Sequence, residues 1–306
     1  MPNNFLINIV GPTAIGKTAL AIKLAQHFET EIISADSRQF FKEMKIGTAV
    51  PEKEELAAAP HHFVQHISVE EDYSVGDFER DAVLRIEELF KRLRVVILVG
   101  GSGLYTKSIT DGLDHFPEVD PEIRENLNSI LEKEGIQVLQ KKLKESDPEY
   151  YKKADLKNPH RLIRALEISL GAGKPYSSFL KQKKTHRDFN IISIGLTAER
   201  IKIYERINLR VEKMMKAGLL KEAKNLYPRR HLNALNTVGY KELFQHLEGE
   251  VTQEEAVAEI QKNTRRFAKR QLTWFRKDKN IKWFDITEPL DNILIYAEQE
   301  IKNRKG

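Results

Sequence analysis

Hydrophobic residues follow two patterns along this chain, and the patterns alternate. Short continuous apolar runs rich in branched residues predict buried strands at 5–10, 31–35, 95–99 and 190–196, with a further short strand at 63–67. Segments of helical periodicity stand between and after them, including one that starts at 73 and a long one from about Thr252. Strands that alternate with helices indicate an α/β fold with a parallel sheet.

The pattern changes between 116 and 186. Amphipathic helices rich in lysine and glutamate are predicted at 121–134, 136–145 and 159–171, and no strand-like run stands among them. We therefore predict an all-helical insertion domain at 116–186, inside an α/β core formed by 1–115 and 187–306.

A phosphate-binding motif follows the first predicted strand directly. It matches G-x-x-x-x-G-K-[ST], and a helical pattern comes next, which is the context that a P-loop requires. The glycines let successive N–H groups face one anion at the start of a helix. Lys17 adds a positive charge, and Thr18 offers its hydroxyl to Mg²⁺. We predict a P-loop NTPase-like core whose diphosphate-binding residues are Gly11, Pro12, Thr13, Ala14, Ile15, Gly16, Lys17 and Thr18.

Polar residues also follow two other predicted strands. Asp36 stands directly after the second strand, where open α/β sheets bind ligands, so it is a candidate general base or Mg²⁺ partner; alternatively, it caps a turn. The strand at 95–99 runs into Gly100, Gly101 and Ser102. Ser102 is expected either to hydrogen-bond a substrate or to cap the next helix. Because this strand does not end in an acidic residue, an ATPase is disfavoured.

Basic residues cluster in two further places. Arg206 and Arg210 lie one helical turn apart, suited to holding one phosphate, although they could instead pair with Glu205 or Glu212 at the surface. In the long last helix, bases alternate with aromatics, and we expect Phe267, Trp274 and Phe275 as core anchors. A plain basic amphipathic helix is the alternative to a nucleic-acid groove, which the density of basic residues favours. The basic residues of this groove are Arg265, Arg266, Lys269, Arg270 and Arg276.

Composition narrows the classes further. The 306 residues carry a formal net charge of +5 and no cysteine, which excludes disulfides, zinc–thiolate sites and thiol catalysis. No apolar run approaches the roughly 20 residues of a membrane span, and the chain goes straight into its first strand without a signal peptide. A cytoplasmic protein without membrane contact is expected. His61 and His62 lack metal-binding partners in sequence and are interpreted as polar loop residues.

Several stretches of the chain form a characteristic series. They are GPTAIGKTALAIKLA, ISADSRQ with IGTA after it, YSVGDF, ILVGGSGLY, PHRLIRALE, ERINLRVEKMM, VGYKE and AKRQLTWFR. They run in order from Gly11 to Arg276, and their combination is specific although each is weak alone. Together they resemble one family, the tRNA dimethylallyltransferases (tRNA isopentenyltransferases).

The resemblance implies transfer of a dimethylallyl group from its diphosphate to N6 of the adenosine adjacent (3′) to the anticodon of tRNA. By this analogy the P-loop, with Lys17 and Mg²⁺ on Thr18, holds the diphosphate, and Arg206 and Arg210 contact it. Asp36 matches the general base of the family. Ser102 stands where the family usually has Thr, a hydroxyl that contacts the target base. The implied partners are dimethylallyl diphosphate and the tRNA anticodon stem-loop, bound by a monomer.

The resemblance also implies an RNA-contacting surface, since a stacked adenine must be flipped out to react. The positions that match RNA contacts of the family are Asp36, Ser37, Arg38, Gln39, Ser102, Arg124, His160, Arg161, Leu162, Ile163 and Arg164, with Arg265, Arg266, Lys269 and Arg270 on the basic helix.

The chain departs from the family pattern at four positions. Glu43 and Lys45 replace Gly and Asp near the donor pocket, Ser102 replaces Thr, and His160 replaces Gln. We expect these departures to retain the chemistry and to bear on which tRNAs are accepted, through a narrowed or shifted set. Three other functions stay open: prenylation of free adenine nucleotides, a P-loop kinase, and RNA binding without catalysis.

Overall fold

The computed structural model describes residues 3–180 and 185–304, and it contains a six-stranded sheet. The order across the sheet is β3-β2-β4-β1-β5-β6, and every neighbouring pair is parallel. The predicted α/β fold is therefore confirmed. The strands are β1 (Phe5–Val10), β2 (Ile32–Ser34), β3 (His61–His62), β4 (Val95–Gly100), β5 (Asn190–Thr197) and β6 (Lys282–Asp285).

Two strands differ from the sequence prediction. The short strand expected at 63–67 lies earlier, at β3, because Phe63 and Gln65 adopt left-handed backbone conformations with φ of 62° and 49° that end an extended run. Within 63–67 only Ile67 pairs, through an isolated bridge to Phe41. The edge strand β6 was not predicted, since four residues carry too little periodicity to stand out.

Helices cover the sheet and form the insertion. Helix α3 begins at a Ser74–Asp77 capping box and α12 at a Thr252–Glu255 capping box, so local sequence fixes both starts. In the part of the chain that the structure describes, no helix combines the length and hydropathy needed to cross a bilayer. The helices are α1 (Lys17–His27), α2 (Lys53–Ala58), α3 (Val75–Phe90), α4 (Gly103–Asp111), α5 (Pro121–Glu134), α6 (Ile136–Ser146), α7 (Pro148–Tyr151), α8 (Pro159–Ala172), α9 (Arg200–Lys216), α10 (Leu219–Leu226), α11 (Tyr240–Leu247), α12 (Gln253–Phe275) and α13 (Leu290–Asn303).

Alternating side chains of β1 enter two different cores. Phe5, Ile7 and Ile9 pack on one face of the sheet with α1 and α13, whereas Leu6 packs on the other face with α3. Because both faces of the sheet are covered, side chains on either side of β1 are apolar, and the sequence of the strand is a continuous apolar run. The polar ends of the strands are left as the part of the sheet that can meet a ligand.

The chain divides into two compact units, Met1–Asp111 with His186–Gly306 and Gly112–Thr185. The second unit contains α5 to α8 and a core of its own, in which Leu127, Leu139 and Leu162 are buried. Its described residues form helices and connecting segments without a strand. The sequence carries a further basic run, KQKKTHR at 181–187, for which we predict contact with an anion; residues 181–184 lie outside the described residues.

Candidate active site

The P-loop is shaped by residues in left-handed backbone conformations. Gly11, Ala14 and Gly16 have φ of 149°, 63° and 107°. A Cβ atom on Gly11 would lie 2.7 Å from the carbonyl oxygen of Leu196, so only glycine lets the loop pass this close to β5. Gly16 directly precedes α1, and the loop therefore ends at the positive terminus of a helix dipole.

Three cationic side chains bind the loop itself. Lys17 Nζ donates to the carbonyl oxygen of Pro12 at 2.8 Å, and Arg206 Nε donates to that of Ala14 at 2.7 Å. Arg210 Nη1 donates to Thr13 Oγ1 at 3.2 Å. Helix α9 thus brings both arginines to the P-loop rather than to acidic surface neighbours, and their contact with a diphosphate stays a prediction.

Asp36 is the acidic group that these cations face. Burial lowers the pKa of Lys17 to about 8, an effect that the charge of Asp36 opposes and that of Arg210 reinforces. Burial also lowers the pKa of Arg210 and of Arg38, and Asp36 raises both. Glu55, which also lines the first cavity, raises the pKa of Arg210 too. Three desolvated cations thus face two carboxylates, and the surplus of positive charge suits a polyanionic ligand.

Two cavities meet at this charge cluster. The first, of about 280 Å³, is lined by P-loop residues together with Asp36 and Arg206. The second, of about 360 Å³, has apolar walls that include Ile207, Val211 and Met214. Three side chains line both cavities, and these are Thr13, Asp36 and Arg210. The Asp36 carboxylate therefore lies at the boundary that the P-loop cavity shares with the second cavity.

The other polar residues after β2 divide into two groups. The Ser37 and Ser102 hydroxyls are 3.2 Å apart and hydrogen-bonded, so Ser102 links the ends of β2 and β4. Arg38 lines the second cavity and donates to the carbonyl oxygen of Ala234 at 3.2 Å. Gln39 is buried, and its amide donates to the Ala49 carbonyl oxygen at 2.9 Å. Gln39 also lines the first cavity, and its predicted RNA contact stays a prediction.

A magnesium site is predicted at Thr18, which lines the first cavity together with Asp36. Across residues 3–180 and 185–304, no three His, Asp, Glu or Cys side chains gather in a group that could hold a metal. Magnesium commonly binds through one or two protein oxygens and the phosphates of a substrate, so this sparse arrangement fits it. The assignment to Thr18 stays a prediction.

The predicted RNA contacts of the insertion have different environments. His160 and Arg161 are exposed at the start of α8. Leu162 and Ile163 are 0% and 4% exposed and belong to the core of the insertion. The prediction that these two side chains contact RNA is wrong, because the helical period turns them inward between exposed neighbours.

Arg124 and Arg164 of the insertion share one acidic partner. Arg124 Nη2 lies 2.6 Å and Arg164 Nη1 3.4 Å from Glu167 Oε2, and the Glu167 side chain is only 8% exposed. Arg164 also stacks over the ring of Phe116. The two arginines therefore stabilise the buried carboxylate and have exposed surface left for a further contact.

Helix α12 carries the basic residues predicted to bind RNA. Arg266, Lys269 and Arg270 are exposed, and Arg270 also lines the second cavity. Arg265 is half-buried and donates to Asn208 Oδ1 at 2.7 Å. The exposed bases of α12 thus stand beside the apolar cavity.

The three aromatic residues of α12 do not share one role. Phe275 is buried, as predicted, and Phe267 lines the second cavity. Trp274 is 39% exposed, so its prediction as a core anchor is wrong. Its ring lies against Gly103, where a Cβ atom would be 2.3 Å from the indole.

Two functional residues escaped the sequence analysis. Gln271 Oε1 accepts from the backbone N–H of Thr13, and its Nε2 donates to the carbonyl oxygen of Gly101, both at 2.8 Å. A polar residue four positions from both Phe267 and Phe275, on the buried face of a helix, is the signal that could have found it.

The second such residue is Glu222 of α10. Its carboxylate accepts from the backbone N–H groups of three successive residues, Lys45, Ile46 and Gly47, and from the Tyr240 hydroxyl at 2.7 Å. It thereby fixes the wall that Gly47 and Thr48 give to the second cavity. No local pattern marks this position.

Residues 39–278 match the family model described as IPP transferase, which spans more than half of the chain. The chain belongs to this family. The resemblance noted from the sequence is therefore confirmed. The P-loop and Asp36 precede the matched segment, so their assignment depends on the geometry described above.

Relatives of this family share most of the sequence. The chain is 66% identical to the tRNA dimethylallyltransferase of Christiangramia forsetii over 98% of this chain and 99% of that protein. It is 56% identical to the tRNA dimethylallyltransferase of Flavobacterium johnsoniae over the same shares.

Solved structures of the family share the fold. The full-length tRNA isopentenylpyrophosphate transferase of Bacillus halodurans superposes with a TM-score of 0.73 at 38% identity, covering 98% of this chain and 97% of that one. A eukaryotic dimethylallyltransferase acting on tRNA has a TM-score of 0.81 at 26% identity, covering 98% of this chain and 80% of that one.

Proposed function

We propose that this protein transfers a dimethylallyl group from dimethylallyl diphosphate to N6 of the adenosine 3′ to the anticodon in tRNA, releasing diphosphate. The observation that carries the proposal is the position of Asp36, which lines both the phosphate cavity of the P-loop and the apolar cavity beside it. The reaction needs a site for the diphosphate leaving group and an acceptor for the proton of the amine. Asp36 provides the acceptor at the boundary of the cavity proposed for the diphosphate.

The donor diphosphate binds in the first cavity. Its charge grows as the bond between C1 of the prenyl group and the bridging oxygen breaks, and preorganised cations stabilise that charge. Lys17, Arg206 and Arg210 surround this cavity, and each is already bonded to a P-loop oxygen from which it can turn to a phosphate. The negative charge of the diphosphate thereby balances the excess positive charge of these side chains.

The prenyl group and the acceptor base meet in the second cavity. Ile207, Val211 and Met214 provide an apolar wall for the five-carbon chain. As the N6–C1 bond forms, the amine loses a proton, and the Asp36 carboxylate lies at the boundary to accept it. The backbone N–H of Arg38 donates to Asp36 Oδ1 at 3.3 Å and orients that carboxylate.

Thr18, with Asp36 nearby in the same cavity, would hold a Mg²⁺ ion that neutralises part of the diphosphate charge. The remaining stabilisation comes from Lys17 and the two arginines of α9. We infer a monomer as the working form. Since its substrate is tRNA, we place the enzyme in the cytoplasm.

The tRNA is proposed to contact exposed basic side chains on α12 and on the insertion. On α12 these are Arg266, Lys269 and Arg270, and on the insertion they include His160 and Arg161. Phosphate contacts of this kind supply affinity without reading the base sequence. The adenosine itself is recognised only after it leaves the stacked loop.

The family departures at 43 and 45 have a structural role. Glu43 accepts from Ser68 Oγ at 2.7 Å and from the backbone N–H of Val69 at 3.0 Å. The backbone N–H of Lys45 binds Glu222, while its side chain is exposed. We propose that these two residues support the loop behind the second cavity and leave the chemistry unchanged.

Three observations disfavour the other functions. The strand β4 ends at Gly100 and is followed by Gly101, without the carboxylate that would hold Mg²⁺ for phosphoryl transfer in a kinase. Binding of a free nucleotide would require neither the insertion nor the basic face of α12. Asp36 among three cations is an arrangement that RNA binding alone does not need.

The test is incubation of the purified protein with dimethylallyl diphosphate, Mg²⁺ and unmodified tRNA, followed by mass analysis of the nucleosides. We expect prenylated adenosine from tRNA and none from AMP offered as a competing acceptor. Preferential prenylation of AMP would establish the free-nucleotide function instead. ATP turnover dependent on a small-molecule acceptor would establish a kinase.

A further inference from the structure

Gln271 joins the two glycine-rich strand ends of the site from a third element. The residue is on α12, yet its side chain binds the P-loop after β1 and the turn after β4. We infer that Gln271 is a positioning residue for prenyl transfer, which fixes Thr13 of the P-loop against Gly101. This inference rests on the proposed function, and it concerns a residue that touches neither the donor nor the acceptor.

The packing around Gln271 leaves little room for a substitute. Its side chain is buried, at 6% exposure for the residue. A Cβ atom on Gly101 would lie 2.4 Å from Gln271 Nε2 and 3.5 Å from Lys17 Nζ. Glycine at 101 therefore lets the amide and the P-loop lysine approach the same point. Both polar ends of the amide are satisfied, so losing them leaves a buried N–H and a buried carbonyl unpaired.

The bond to Thr13 differs in kind from the other bonds on the P-loop. Lys17 and Arg206 donate to loop carbonyls, and as cations they are equally able to donate to phosphate oxygens. Gln271 is neutral and accepts from the backbone N–H of Thr13. The hydrogen bond to Gln271 thus holds the Thr13 amide in place. The P-loop therefore keeps its shape when Lys17 and Arg206 turn from the loop carbonyls to a ligand.

The position of Thr13 in turn determines the positions of groups that act in the reaction. Its hydroxyl accepts from Arg210, and its side chain lines both cavities beside Asp36. A shift of Thr13 therefore moves the arginine that contacts the diphosphate relative to the carboxylate that accepts the proton. Displacements of about 1 Å in such groups lower rates about a hundredfold.

The experiment compares Gln271→Met with Thr273→Val in the full-length protein. Methionine keeps the length and most of the volume of glutamine but makes neither hydrogen bond. Thr273 is exposed on the same helix and donates only to the Lys269 carbonyl within it, so it is a matched control. For Gln271→Met we expect kcat/KM for dimethylallyl diphosphate to fall about 10- to 100-fold. Affinity for inorganic pyrophosphate with Mg²⁺ should fall as well.

Affinity for unmodified tRNA and its salt dependence separate positioning from a general loss of structure. In Gln271→Met we expect the tRNA affinity and its salt dependence to stay within about twofold of the values for the protein without the substitution. The reason is that no phosphate-contacting cation is removed. Unchanged kcat/KM and pyrophosphate affinity would overturn the inference. Equal loss of tRNA and pyrophosphate binding, in step with the folded fraction, would overturn it too.

A second variant keeps the inference testable if methionine prevents folding. Gln271→Glu retains an acceptor for the Thr13 N–H and loses the donor to Gly101, and we expect weaker pyrophosphate binding with the tRNA affinity retained. Prenylation by the unmodified protein with no effect of either variant would refute the positioning role alone. Altered pyrophosphate affinity in a protein that does not prenylate tRNA would refute the proposed function alone.

Discussion

Two clusters of basic residues in this protein differ in how far their positive charges are removed from solvent. In the α/β unit, Lys17, Arg38 and Arg210 face the carboxylate of Asp36, Glu55 also acts on Arg210, and burial lowers the pKa of all three cations. In the insertion, two half-exposed arginines share the buried Glu167. The first cluster keeps a surplus of desolvated positive charge, whereas the second holds its charge largely in solvent.

The difference shows how environment separates a reaction site from a binding surface. Desolvated cations interact strongly with an anion, because little water competes for them. Exposed cations contribute less each and act by number, through counterion release from RNA. We therefore expect substitutions in the two clusters to differ in size and in which measured quantity changes.

The largest effect is expected at Asp36. Asp36→Asn keeps the shape of the residue but removes the proton acceptor, so kcat should fall about 10²- to 10⁴-fold while tRNA binding is retained. Nucleoside mass analysis and a filter-binding assay measure the two quantities. Undiminished prenylation by this variant would show that Asp36 is not the proton acceptor. The distinction between a reaction site and a binding surface would then lose its basis.

Lys17→Ala is expected to follow. Removal of one preorganised donor to the departing diphosphate lowers kcat/KM about 10²- to 10³-fold or more, so that product is undetectable under ordinary assay conditions. Lys23→Ala, an exposed lysine on the same helix, is the control and should be close to the unmodified protein. Normal turnover by Lys17→Ala would show that the diphosphate binds elsewhere.

The lowered pKa of Lys17 predicts an effect of pH. Above the folded value of about 8 the lysine loses its charge, so pyrophosphate affinity should fall by up to about tenfold for each further pH unit. Because the unfolded chain keeps this proton up to about 10.5, the group adds stability as pH rises between the two values. Titration calorimetry from pH 7 to 9.5 measures the affinity.

Lys17→Arg is the control for that pH dependence. Arginine keeps its charge over the whole range, so the decline attributed to the lysine should disappear. A decline of equal size in both proteins would assign it to the ligand rather than to Lys17.

A smaller effect is expected on α12, where two arginines differ in exposure. Arg270→Ala should weaken tRNA binding several-fold and reduce the slope of log affinity against log salt by about 1. Arg265→Ala should change the slope less, because this side chain is bonded to Asn208 and stacked over Tyr204. Identical slopes in both variants and in the unmodified protein would place the RNA surface elsewhere.

The smallest effect is expected in the insertion. Arg124→Ala should lower the free energy of unfolding by about 1 kcal/mol or less, since the arginine is half exposed and Arg164 still pairs with Glu167. The double variant Arg124→Ala/Arg164→Ala leaves a buried carboxylate uncompensated and should lose about 3 kcal/mol. Urea unfolding measures both. Equal losses in the single and the double variant would contradict the shared pairing.

The sequence alone determined the elements whose signals are contiguous. The strand, P-loop and start of α1 are encoded within fourteen consecutive residues, and capping boxes mark where α3 and α12 begin. The parallel order of the sheet follows from the alternation of strands and helices. Asp36 was predictable for the same reason, because a polar residue at the end of a buried strand has a known position in such sheets.

Only the tertiary structure decided which distant side chains complete the site. Gln271 stands 258 positions from Thr13 and 170 from Gly101, and Glu222 stands 175 positions from Gly47. It also decided that Leu162 and Ile163 are buried and that Trp274 is partly exposed. Local periodicity determines which residues share a helix face, whereas the docking of one helix against another determines what that face meets.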